Sequence, residues 1–152
     1  MNYDQARNHE MEFTYQAEID SLSRQGVTCP PRNAKASNTI GWRFVWNPLT
    51  IECAQPVASK NRKRFLTKPP YIQCSAWALS VYASEEEGRT AFAAYVSSFP
   101  NFGKDAGDHI AVLAITDKDG VCTPPNHKNG HFDFHPYSHI DVVAKLTIAG
   151  NL

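Results

Sequence analysis

The stretch from Asp108 to Thr116 constrains the fold more than any other part of this chain. Read as a strand, it places Ile110, Val112 and Ala114 on one face and Ala111, Leu113 and Ile115 on the other. A strand with no polar face belongs at the centre of a sheet covered on both sides. One cover is legible nearby. Ser84 and Glu87 form an S-x-x-E capping box, and Glu85 and Glu86 suit the positive end of a helix. Ala91, Phe92, Tyr95, Val96 and Phe99 give that helix an apolar stripe, and Pro100 follows its end.

The remaining pattern is mostly strand. Trp42–Trp46 alternates three large rings against Arg43 and Val45. Gln73–Tyr82 reads as a second strand, with Trp77, Leu79 and Val81 opposite the small Ala76, Ala78 and Ser80. Asp117-Lys118-Asp119-Gly120 is a turn, so Val121–Thr123 is expected to pair back as a hairpin. His131–His135 and Ile140–Ala149 complete the set. At the other end, Met11, Tyr15, Ile19 and Leu22 form a narrow apolar stripe on a helix expected over Asp4–Gln25, with Gly26 as its stop. Val27–Ile40 is irregular, broken by Cys29-Pro30-Pro31. Strands in succession with few helices between them predict a single α+β domain. Its expected form is a twisted, mainly antiparallel sheet of about five strands with one packed central helix. Residues 1–26 would form an amphipathic N-terminal helix and residues 27–152 the α+β domain.

Fifteen basic and fifteen acidic residues cancel, so any electrostatic preference for a partner must be local. No apolar run approaches the roughly 18 residues of a membrane span. The polar, acid-containing N-terminus resembles neither a signal nor a transit peptide, which favours a cytoplasmic location. Cys29, Cys53, Cys74 and Cys122 contain no C-x-x-C pair, and in that compartment they are expected to be reduced.

The main functional pointer is His131-Phe132-Asp133-Phe134-His135. On a strand, His131, Asp133 and His135 share one face, and the two phenylalanines anchor the other. Pro136 argues against the alternative of a helix lined by His131, His135 and His139. Two imidazoles and a carboxylate suit proton transfer, with His139 joining from the adjoining loop as a ligand contact. The same set suits a divalent metal, although the spacing matches no metal signature and none is assigned. Arg43, mid-strand among aromatics, is a candidate anion contact, and Ser80 lies on the small-residue face that would wall a site. For each there is a plainer alternative: exposed polar strand residues for the histidines, and a salt bridge for the arginine.

Arg43 on an early strand, followed by the serine-bearing Ser75-Ala76-Trp77-Ala78-Leu79-Ser80, resembles the opening of ADP-ribosyltransferase domains. The resemblance implies that this arginine and the serine-bearing strand cradle NAD. The family's late glutamate motif has no counterpart here: Asp133 and Asp141 are the acids available, and no glutamate follows Glu87.

Three expectations follow. The first is a small enzyme-like domain that binds a phosphorylated or nucleotide-like anionic ligand, with His131, Asp133 and His135 as catalytic groups. Arg43, Ser80 and His139 would be its binding groups, and the residues name no cofactor. The second is a non-catalytic interaction domain. It would meet nucleic acid through Lys60, Arg62, Lys63, Arg64 and Lys68, or a second copy of itself through the N-terminal helix; no membrane partner is expected. The third is an NAD-using, ADP-ribosyltransferase-like domain.

Overall fold

The structure is a computed structural model that describes residues 12–152. Its order is α1 (Gln16–Arg24), β1 (Thr39–Val45), a 3-10 turn (Ile51–Ala54), then three short helices: α2 (Val57–Lys60), α3 (Arg62–Leu66) and α4 (Pro70–Ala76). There follow β2 (Leu79–Tyr82), α5 (Glu85–Ser98), α6 (Phe102–Ala106), β3 (His109–Ile115), β4 (Gly120–Cys122) and β5 (His131–Pro136). A second 3-10 turn (Val143–Lys145) leads into β6 (Leu146–Asn151). The architecture is α+β, built on one six-stranded antiparallel sheet of order β4-β5-β2-β1-β3-β6.

That order sets the shape. β3 ends at Ile115 and β4 starts at Gly120, yet three strands lie between them in the sheet. On a flat sheet, four strand spacings would put them about 19 Å apart, near the limit of a fully extended linker. The linker is instead a tight turn: the Asp119 N–H donates to the Thr116 carbonyl, and the Thr116 N–H donates to the Asp119 carboxylate. The sheet must therefore curl. It does so between β1 and β2, which share a single register pair, Trp42 with Tyr82. Gly41 permits the close crossing there, because a Cβ at this position would overlap the Val81 side chain.

The curl turns one face of each half-sheet inward. Val45, Leu79, Val81, Ala111, Leu113, Ile115, Cys122, Phe132, Phe134 and Leu146 pack together in the enclosed core. The outer face has two separate covers. Over β1 and β2, Phe44 and Tyr82 meet Phe92 of α5 and Phe102 of α6. The other cover is a smaller cluster of Ile19 and Leu22 from α1 with Cys29, Cys74 and Trp77. For β3 the inner cover is supplied by the sheet itself; on its outer face Ile110 is buried beneath Gly88 of α5, whereas Val112 is half-buried and Ala114 is exposed, so the cover expected on that side is partial.

Several local expectations are corrected. Gln73–Tyr82 is strand only from Leu79; Pro70 sits at the first turn of helix α4, where its fixed φ favours helix and its missing N–H costs nothing. Val121–Thr123 does not form a hairpin with β3; the strand there, Gly120–Cys122, pairs with β5 at the opposite sheet edge. The last strand begins at Leu146, after the 3-10 turn, not at Ile140. The α5 stripe is half-buried at best: Gly88 is the helix's fully buried residue, close against Ile110, while Tyr95 and Phe99 are 43% and 63% exposed. The helix touches the sheet through its N-terminal half. Of the expected Asp4–Gln25 helix, Met1–Met11 lie outside the described residues, and α1 begins at Gln16.

Cys29 and Cys74 form a disulfide, whereas all four cysteines were expected to be reduced. Its Cα–Cα separation is 5.7 Å, because the loop after α1 folds back over α4 into the smaller apolar cluster. Disulfides persist in oxidising compartments and are rare in the cytosol, which weighs against the cytoplasmic location expected from the N-terminus. Cys53 and Cys122 are buried thiols. Among the described residues, no helix is long and apolar enough to cross a membrane.

Candidate functional site

β5 forms where the sequence places it, and its alternation is the expected one. Phe132 and Phe134 face the enclosed core opposite Val81 and Leu79. His131, Asp133 and His135 therefore share the outer face. β2 lies beside it in antiparallel register, with Ser80 opposite Asp133 and Tyr82 opposite His131.

This register builds a polar cluster. Ser80 Oγ lies 2.7 Å from His131 Nε2. Asp133 Oδ1 lies 3.8 Å from the same nitrogen. Ser75, on α4, neighbours the Asp133 carboxylate. Burial raises the Asp133 pKa above the ordinary carboxylate value, opposed by the neighbouring Ser75 hydroxyl and His131. The Ser80 hydroxyl is exposed, and the His131 ring packs edge-on against Tyr82. Tyr82 also lines a surface recess of about 380 Å³ together with Glu86, Tyr95, Lys128 and Asn129. Among the described residues, no group of three or more His, Cys, Asp or Glu is arranged to hold a metal ion.

Chemically, Ser80 and His131 form a hydroxyl–imidazole pair. A neutral His131 with its proton on Nδ1 accepts the Ser80 proton at Nε2, and the imidazolium so formed lies beside the Asp133 carboxylate. The arrangement differs from a Ser-His-Asp triad, in which serine and carboxylate bind opposite ring nitrogens. Here both approach Nε2.

The remaining expected site residues lie elsewhere. His135 shares the face of His131 but is 2% exposed, and neither ring nitrogen has a hydrogen-bond partner. Phe13 covers it edge-on at 6.3 Å between ring centroids. Burial lowers the His135 pKa to about 4, so its ring is neutral at pH 7. His139 is exposed and stacks against Tyr137 beyond the end of the strand.

Arg43 sits on the opposite face of the sheet from Ser80, since Trp42 and Tyr82 pair across β1 and β2 and Arg43 is the next residue along. Its Nε donates to the Cys53 carbonyl at 2.9 Å, Nη1 to the Ser80 carbonyl at 2.9 Å and Nη2 to the Gln55 carbonyl at 3.0 Å. Burial lowers its pKa to about 10. The guanidinium fills the gap where β1 and β2 diverge, and ties β2 to the turn after Ile51. It meets the polar cluster only through the main chain of Ser80.

Sequence reasoning had Ser80 as a wall and did not pair it with His131. Lys128 and Tyr82 were not singled out for the site. The signal for Ser80 lay in the strand register, which a single sequence does not print. Comparisons with protein-family models, curated proteins and solved structures return no match for this chain.

Proposed function

We propose that the protein is a small enzyme that binds a phosphorylated, nucleotide-like ligand on the outer face around Ser80, His131 and Asp133. The 2.7 Å contact between Ser80 Oγ and His131 Nε2 carries this reading, because it couples an exposed hydroxyl to an imidazole nitrogen placed to take its proton. His131 would move the proton, and Asp133 would balance the imidazolium. Lys128, on the neighbouring recess, would contact the anion, a role for which three of the five Arg43 N–H donors are already engaged.

A second reading rests on its own observation. The two segments that resemble ADP-ribosyltransferases are joined in space by the Arg43 hydrogen bond to the Ser80 carbonyl. Asp133, directly across from Ser80, offers a carboxylate on that strand pair where the sequence lacks the family's glutamate. Breaking the nicotinamide–ribose bond of NAD generates oxocarbenium character, which a carboxylate stabilises. With water as acceptor, the products are ADP-ribose, nicotinamide and a proton.

The test is an NMR titration of the folded protein with ADP and with NAD, followed by an assay for released nicotinamide. Binding that perturbs His131 and weakens at least about tenfold in Ser80→Ala and Asp133→Asn supports the first reading. Nicotinamide release abolished by Asp133→Asn supports the second. No response to either nucleotide at millimolar concentration overturns both.

A further inference from the structure

Residues 53–84 contain five cations, Lys60, Arg62, Lys63, Arg64 and Lys68, and no acidic residue. The whole chain is neutral by formal charge, so the rest of it carries five net negative charges. A charged run of this kind is most simply a solvated surface loop. It folds instead into α2, α3 and α4, which pack on one another as a three-helix cap. Three of the cations are occupied: Arg62 pairs with Glu18 at 2.9 Å, Lys60 lies over the Trp46 ring at 4.2 Å, and Arg64 lies over the Phe65 ring at 5.5 Å. Lys63 and Lys68 have no acidic partner among the described residues.

Large apolar side chains stand exposed in the same cap. Leu66 at the end of α3 and Tyr71 in the first turn of α4 are each 70% exposed, and Val57 of α2 is 54% exposed. Leu66 and Tyr71 flank the Thr67–Pro69 connection, so they lie at one tip with Lys68 between them. Cations bordering exposed aliphatic and aromatic side chains match an interfacial, membrane-lying surface.

We infer that this cap docks on an anionic lipid bilayer surface, with Leu66 and Tyr71 entering the headgroup zone and Lys63 and Lys68 at the lipid phosphates. The helices are far too short to span; they would lie on the surface. Nucleic acid fits less well. A single-strand binder stacks successive bases on several free aromatic faces, but Arg62 covers Trp77 and Arg64 covers Phe65, which leaves Tyr71 as the exposed ring of the cap. A phosphate backbone also leaves Leu66 and Val57 in water.

The test is vesicle flotation of the full chain. Vesicles of equal parts phosphatidylserine and phosphatidylcholine should bind the protein, and pure phosphatidylcholine vesicles should not. Lys63→Gln with Lys68→Gln should weaken binding by about 25-fold, near fivefold per cation. Leu66→Ser with Tyr71→Ser should weaken it at least about tenfold, since each loses buried apolar area. All four positions are exposed, so the variants should keep the wild-type circular dichroism spectrum and melting temperature. Failure to bind the anionic vesicles overturns the inference. So does binding that the Leu66/Tyr71 variant leaves unchanged, or tighter binding to single-stranded DNA than to the vesicles.

Discussion

His131 and His135 lie four residues apart on one strand and one face, and the fold treats them in opposite ways. His131 meets a hydroxyl, a carboxylate and water. His135 meets carbon, with both nitrogens unsatisfied and its pKa depressed to about 4. The cause is what lies above each ring. The segment Glu12–Thr14 bonds to the end of β5 through Thr14 N–H to the Pro136 carbonyl and Ser138 N–H to the Glu12 carbonyl, and it brings Phe13 down over His135. Among the described residues, no such strap reaches His131. Residue type and strand face are therefore not enough to define a site; cover decides which imidazole can exchange protons with a ligand.

The contrast can be broken most directly by activity. If His131 transfers the proton, His131→Ala should lower turnover of a responsive nucleotide substrate by about 10²–10⁴-fold, whereas His135→Leu should stay within a few-fold of wild type. Equal losses in steady-state kinetics would mean that the two rings belong to one site.

The next largest effect is on stability against pH. The folded His135 pKa lies below its unfolded value, so between about pH 6.5 and pH 4 the unfolded chain binds the extra proton. Stability should fall through that window as pH drops, by about 3 kcal/mol at the acid end. Asp133 works the other way: its raised pKa makes stability rise as pH falls through that value. Urea unfolding across this range should show a net loss in wild type. His135→Leu should remove most of it, and at pH 7 it should be neutral or stabilising, because it deletes two unsatisfied buried polar atoms.

Removing the cover should make the two histidines more alike. Phe13→Ala should cost about 1–2 kcal/mol, less than a fully buried phenylalanine, and should move the His135 pKa upward in an NMR titration. The smallest effect is expected at Ser80. Ser80→Ala should change stability by no more than about 0.5 kcal/mol, since the hydroxyl is exposed, while the His131 ring resonances shift.

Much of this was readable from residue order. The apolar Asp108–Thr116 strand, the capped helix from Ser84 and the alternation of His131–His135 depend on neighbours in sequence, and each is present. What sequence could not show depends on contacts between distant segments. The hairpin expectation failed because Gly120–Cys122 is drawn to β5 by the sheet's curl, which no local turn residue encodes. The burial of His135 depends on Phe13, well over a hundred positions away. Arg43 read as an anion contact because an arginine among rings needs partners; the partners proved to be three carbonyls, which carry no signature in a side-chain sequence.

The Cys29–Cys74 bridge encloses the whole basic run from Lys60 to Lys68, where nearly every residue is exposed. A trypsin-like protease cutting there would yield two polypeptides that still migrate as one molecule, separating only when a thiol reductant is added. Nicked and intact forms should be indistinguishable on a non-reducing gel and distinct on a reducing one.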